Sequence, residues 1–171
     1  MKIVILNGSH RHNGNCYCFS NKASEILKNR HEVQQFNLTE CNILPCHGCL
    51  RCEDGEECGI CDDYSEQICP ALKEADLLII ASPTYFNMPS SVLVNFIDRT
   101  NNLCEYLSSN PKKALIYLVG QTDEETIRDA YRCIKTYFDI MCIEEIREPI
   151  LRVARMPEEV DAEIISILEQ V

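Results

Sequence analysis

Three features of the sequence predict an α/β fold with a parallel sheet covered on both faces. Short apolar runs alternate with amphipathic stretches along the 171 residues. Several of those runs are apolar throughout, as strands buried on both faces are. The residues richest in chemistry fall directly after the runs, where ligands bind in such sheets. Five strands joined by right-handed crossovers favour the order 2-1-3-4-5, a three-layer sandwich. The length suits a single domain over 1–171 with one substantial core.

The elements follow in order. "KIVIL" (2–6) predicts the first strand. It lacks a small-residue cleavage site and runs into a glycine turn, so it reads as a strand and not as a signal peptide. A helix is expected over 14–30, starting near Gly14–Asn15, and "HEVQQFNL" (31–38) alternates as a strand. The cysteine-rich stretch 45–61 follows as a loop. Residues 62–75 read as a helix that Pro70 should kink or split. "DLLIIAS" (76–82) is an apolar strand, and 89–107 a helix with a proline at its start. "KKALIYLVG" (112–120) is the fourth strand. Thr122 with Glu125 three residues later predicts a capping box opening a helix over 122–141. A last strand is expected within 142–154 and a closing helix over 157–171.

Composition narrows the function. The formal charge is −11, from 27 acidic and 16 basic residues, which argues against nucleic acid and anionic membranes. No stretch approaches the ~20 apolar residues of a membrane span. A cytoplasmic location is expected. Twelve cysteines are many for that compartment, where clustered thiols more often bind metal or do redox chemistry than form disulfides. The scattered Cys16, Cys18, Cys41, Cys69, Cys104, Cys133 and Cys142 read most simply as small core or near-core residues.

Two loops suggest a ligand. "NGSHRHNGNC" (7–16) combines turn glycines, the Ser9 hydroxyl, the planar fork of Arg11 and a helix N-terminus, which together make a phosphate cradle. It has neither a P-loop nor a GxGxxG pattern. "SPTYFNMPSS" (82–91) offers a stiff turn with aromatic faces and amides, suited to a flat heterocycle.

"GSHRHNGNC", "SPTYFNMPS" and "NFIDR" (95–99) together resemble the NADPH-dependent FMN reductase superfamily, which has a flavodoxin-like fold. With "PCHGCLRCEDGEEC" and "CDDY" between them, the chain looks more closely like an iron–sulfur flavoprotein. The likeness runs from residue 1 to about residue 120. It implies one FMN per subunit. Ser9, Arg11, Asn13, Asn15 and Cys16 would surround the phosphate. Pro83, Thr84, Tyr85, Phe86 and Asn87 would line the isoalloxazine, with Gly120 after the fourth strand. Asp98 and Arg99 match the family's "DR" and read as mainly structural. Cys16 stands where threonine is usual, and Val94 where lysine is common. The resemblance also implies homodimers or homotetramers, with NAD(P)H as a transient donor or a redox partner such as ferredoxin.

The cysteine loop stays open between three readings. Cys46, Cys49, Cys52 and Cys58 form C-x2-C-x2-C-x5-C, compact enough for a 4Fe–4S cluster. Cys49, Cys52, Cys58 and Cys61 form two knuckles for zinc, with a spacer much shorter than the ~15–20 residues of common zinc ribbons. Free or regulatory thiols are the third. His47 could add a second-layer hydrogen bond. Three functions compete accordingly: a redox flavoprotein relaying electrons between FMN and a cluster, an NAD(P)H-dependent FMN or quinone reductase without one, and a metal-stapled, non-enzymatic binding module.

Overall fold

The computed structural model describes residues 1–154 and 160–171. β1 (Lys2–Asn7), β2 (Glu32–Asn37), β3 (Leu77–Tyr85), β5 (Lys112–Gly120) and the pair β6 (Ile143–Glu145) and β7 (Ile150–Val153) form one twisted parallel layer. The order is β2-β1-β3-β5, with β6 and β7 both on the outer side of β5, so the predicted 2-1-3-4-5 path is the observed one. A two-residue strand, β4 (Met88–Pro89), folds back antiparallel on the end of β3.

Helices cover both faces. α1 (Asn15–Leu27) and α6 (Ala162–Glu169) lie on one side. There Ile3, Ile5, Phe19, Ile79 and Leu115 are buried, and Phe19 stacks on Tyr117 with ring centroids 4.1 Å apart. α2 (Cys69–Glu74), α3 (Ser91–Arg99), α4 (Cys104–Ser109) and α5 (Glu124–Ile140) pair with the other set, which includes Val4, Leu6, Ile80, Phe96 and Ile116. Alternate residues of β1 thus enter two cores, which is why its sequence is apolar without a break. Among the described residues no helix is long and apolar enough to cross a membrane.

Several expectations need correction. The last strand is two pieces. Lys112 faces Ile143 but Tyr117 faces Ile150, so extra residues loop out around Arg147–Pro149, where proline has no N–H to give the ladder. The helix expected over 62–75 is a π turn at Tyr64–Ile68 running into the short α2, and the change falls beside Pro70, where a kink or split was expected. Pro89 does not begin a helix. It pairs with Thr84, and Ser90 caps α3 instead, its Oγ accepting from Leu93 N at 3.4 Å. The run to 107 breaks at a 3-10 turn, Thr100–Leu103, where the Thr100 hydroxyl donates to Ile97 O at 2.7 Å. At α5 the cap is Asp123, which accepts from Thr126 N at 2.9 Å, so Thr122 and Glu125 form no capping box. Either residue type can cap, and the chain direction selects the carboxylate. Asp161 caps α6, and residues 157–159 of the predicted closing helix lie outside the described ones.

Candidate functional site

The loop after β1 is built by its own side chains. Asn7, fully buried, accepts Ser9 N on Oδ1 at 3.1 Å and donates through Nδ2 to Asn37 Oδ1 at 3.2 Å. Ser9 Oγ accepts Arg11 N at 3.1 Å, and Gly14 N reaches Arg11 O at 2.9 Å. The coil delivers the chain to α1, whose N-cap is Gly14. No side chain caps this helix and no acid occupies its first turn. Its positive end is therefore presented to whatever occupies the space in front of it, beside Arg11. Burial pushes the Cys16 thiol far up, so it stands there neutral.

The loop after β3 is a tight hairpin. Phe86 and Asn87 take φ of 50° and 59°, the left-handed pair that a two-residue I′ turn requires. The Asn87 amide donates to Asp129 Oδ2 at 3.1 Å, which ties the tip to α5. Phe86 is 96% exposed, so its ring stands on the rim and not in the core. After β5, Gly120 is obligatory: a Cβ there would lie 2.6 Å from Ile127 Cγ1 and 2.8 Å from Thr84 Oγ1.

These loops enclose one cleft of about 430 Å³ at the carboxyl edge of the sheet. Ser9, Arg11, Asn15 and Cys16 line one part of it, and Pro83, Thr84, Tyr85, Phe86, Asn87 and Gly120 another. Asn13 is the exception, since it is exposed and off the cleft. The sequence reading missed Gln121, Thr122, Thr126 and Ala154, and also Val119 at the end of β5. Gln121 and Thr122 lead from Gly120 into α5 and Thr126 lies in its first turn, and that position was their only signal. The volume falls within the ~300–1,000 Å³ of small-molecule sites, and the donor end and aromatic end differ in chemistry as a phosphate and a ring would need.

The cysteine loop leaves the sheet from the same edge, after β2. It is irregular except for a 3-10 turn at Arg51–Asp54, and bends at Gly48, Leu50 and Gly55, all with positive φ. Cys46, Cys49, Cys52 and Cys58 line one small cavity of about 70 Å³, with His47, Arg99 and Asn101. Cys61 is exposed and does not line it. Three of the sulfurs already accept N–H donors: Cys46 from Gly48 N at 3.4 Å, Cys52 from Asn101 Nδ2 at 3.3 Å, and Cys58 from Arg99 Nη2 at 3.5 Å. The four share a cavity without meeting at a point, and among the described residues no three His, Cys, Asp or Glu side chains are grouped to hold a metal ion. Of the scattered cysteines, Cys16 and Cys69 are buried and Cys18, Cys41 and Cys104 half-buried, but Cys133 and Cys142 are exposed, against the core reading.

Fold and cleft define a doubly wound α/β protein with its cleft at the switch between β1 and β3, where such folds bind ligands. The family model described as NADPH-dependent FMN reductase matches residues 1–149, and the chain belongs to that family. It is 35% identical over 104 residues to an iron-sulfur flavoprotein of Methanocaldococcus jannaschii, a match covering 60% of this chain and 53% of that one. It is 32% identical over 100 residues to an iron-sulfur flavoprotein of Archaeoglobus fulgidus, covering 58% and 49%. The chain thus spans about half the length of the curated relatives it matches. A crystal structure from Streptococcus mutans superposes with a TM-score of 0.71 at 14% identity over 100% of both chains, which shows the shared fold.

Proposed function

We propose that the cleft binds FMN and that the protein is a flavin-dependent oxidoreductase, relaying electrons between FMN and a 4Fe–4S cluster held by Cys46, Cys49, Cys52 and Cys58. One observation carries the flavin reading: the uncapped N-terminus of α1 beside Ser9 and Arg11 shares a single cleft with Tyr85, Phe86 and Asn87. Ser9, Arg11 and the α1 backbone would hold the phosphate, and the β3–β4 hairpin would face the ring. Bound FMN supplies one- and two-electron chemistry, and the protein's part is to bind, orient and shield it.

Support for the cluster is the donor set. Four thiols and no other acid-base groups line the small cavity apart from His47, Arg51, Asp98 and Arg99, and N–H groups already point at three sulfurs. Sheltering the exposed loop in a homodimer or homotetramer, and electron supply from NAD(P)H or a ferredoxin-like partner, belong to the same proposal. A second reading, an NAD(P)H-dependent FMN or quinone reductase without a cluster, draws on the thiols not meeting at a point.

The test is anaerobic purification with flavin, iron, sulfide and zinc analysis, repeated on single Cys→Ala variants. The proposal expects FMN and about four irons per chain, lost in Cys46→Ala, Cys49→Ala, Cys52→Ala and Cys58→Ala and kept in Cys61→Ala. Stoichiometric zinc without iron, or cluster loss in Cys61→Ala but not Cys46→Ala, would refute the ligand set. FMN with neither metal favours the second reading.

A further inference from the structure

Resting on the cluster reading, we propose that Arg99 is a positioning residue for the cysteine centre: its guanidinium closes the base of the loop and gives the Cys58 sulfur a fixed cationic N–H donor.

The clamp is buried. The Arg99 and Asp62 side chains are both 0% exposed. Arg99 Nη1 donates to Asp62 Oδ2 at 2.5 Å and to Leu44 O at 2.8 Å. Nη2 reaches Asp62 Oδ1 at 3.2 Å, Ile60 O at 3.5 Å and Cys58 Sγ at 3.5 Å. Asp62 Oδ2 also accepts Leu44 N at 2.8 Å. The strand of chain entering the loop (residue 44) and the one leaving it (residues 60–62) are thereby tied to the last residue of α3. The Tyr64 ring supports the guanidinium from 4.8 Å. The base of the loop is closed by protein contacts alone.

Cys58 is the cysteine that needs this. Cys46, Cys49 and Cys52 recur at x2 spacing, so one loop geometry presents all three. Cys58 lies beyond the Arg51–Asp54 turn and Gly55, and nothing in the local spacing aims it at the same cavity. A tether from 41 residues away does. Arg99 also lines that cavity, and its Nε is buried without a partner. Thiolates gathered in one place accumulate negative charge. An arginine cannot lose its proton to relieve that charge, so it offsets it permanently. N–H donors and positive charge at ligating sulfur raise a cluster's reduction potential. Asn101, exposed and neutral, does the same more weakly at Cys52.

The experiment uses the full chain with Arg99→Gln, Arg99→Lys and Asn101→Leu. Each is reconstituted anaerobically with iron and sulfide and titrated potentiometrically by EPR. Each is also alkylated after reduction and metal removal, with exposed Cys133 as internal reference. The expectation is a more negative midpoint in Arg99→Gln, largely recovered in Arg99→Lys, with a smaller negative shift in Asn101→Leu. In metal-free protein alkylated well above the ordinary thiol range, where ionisation is complete and the rate reports access alone, Cys58 should react severalfold faster in Arg99→Gln, with Cys133 unchanged. An unchanged midpoint in Arg99→Gln, or unchanged Cys58 reactivity, would overturn the proposal. If Arg99→Gln does not fold by circular dichroism, Arg99→Lys carries the reactivity test, because it keeps the buried charge but loses the fork. Wild-type protein that takes up no iron would overturn the cluster reading alone. The clamp then stands or falls by the alkylation rates.

Discussion

Gly8→Ala probes how the phosphate-loop entry is packed. Gly8 N donates to Ala81 O at 2.8 Å, which pins the first residue after β1 against β3. A Cβ at this position would lie 2.8 Å from Ser90 Oγ and 3.2 Å from Leu93 Cβ. Ser90 is fully buried and caps α3, so its hydroxyl cannot swing away without releasing Leu93 N. Losing the cap costs about 1 kcal/mol, and overpacking adds about 1–3 kcal/mol. The sum, about 2–4 kcal/mol, corresponds to a Tm loss of roughly 4–16 °C in a chain of this size. Urea unfolding of flavin-free protein measures it. Gly48→Ala is the control: nothing lies within 4 Å of its Cβ, and its φ of +61° charges only the left-handed penalty of about 1–2 kcal/mol. In a Ser90→Gly background the obstructing hydroxyl is gone, and Gly8→Ala should cost measurably less. Additive costs in that double-mutant cycle, or a Gly8→Ala stability within about 0.5 kcal/mol of wild type, would refute the packing argument.

Three further outcomes are expected. Arg11→Ala should weaken FMN binding by about ten- to a hundredfold through loss of a charge-assisted contact, with the effect shrinking in high salt because Arg11 is exposed; a fluorescence titration showing no change would remove Arg11 from the site. Burial alone would push the Asp62 carboxyl up, but the Arg99 guanidinium and the N–H groups of Leu44 and Ser65 hold it below the usual range. Its stabilisation is therefore complete above about pH 4 and lost as pH falls through the lower folded value; Asp62→Asn should cost about 3–5 kcal/mol at neutral pH, and that gap should close in acid, as urea curves across pH would show. Phe86→Ala should leave stability within about 0.5 kcal/mol, since the ring is already in solvent, and a large loss would place it in the core after all.

The central strands were legible because they are buried on both faces. The runs "IVIL", "LLIIA" and "ALIYLV" carry no charged or amide side chain, and runs of that length between turn signals read as buried strands. The outer strand was legible only as one piece, because the register slip between β6 and β7 is set against β5 and leaves no local mark. The cap of α5 was misplaced by one residue for the same reason: Thr122 and Asp123 are both competent, and only the path of the chain out of β5 chooses.

The sequence by itself determined the layer architecture, the edge that carries the cleft and the loops that line it, and it narrowed the cysteine centre to two overlapping sets of four. Each depends on periodicity or spacing within a few residues. Only the tertiary structure decided that Asn13 turns away, that Phe86 stands in solvent on a left-handed turn, and that Thr122 and Thr126 complete the wall. It alone placed Arg99 under Cys58, 41 residues distant, and set Cys61 outside the cavity. Such pairings arise where separate elements dock, and a side chain's own neighbours in sequence carry no record of what the fold brings against it.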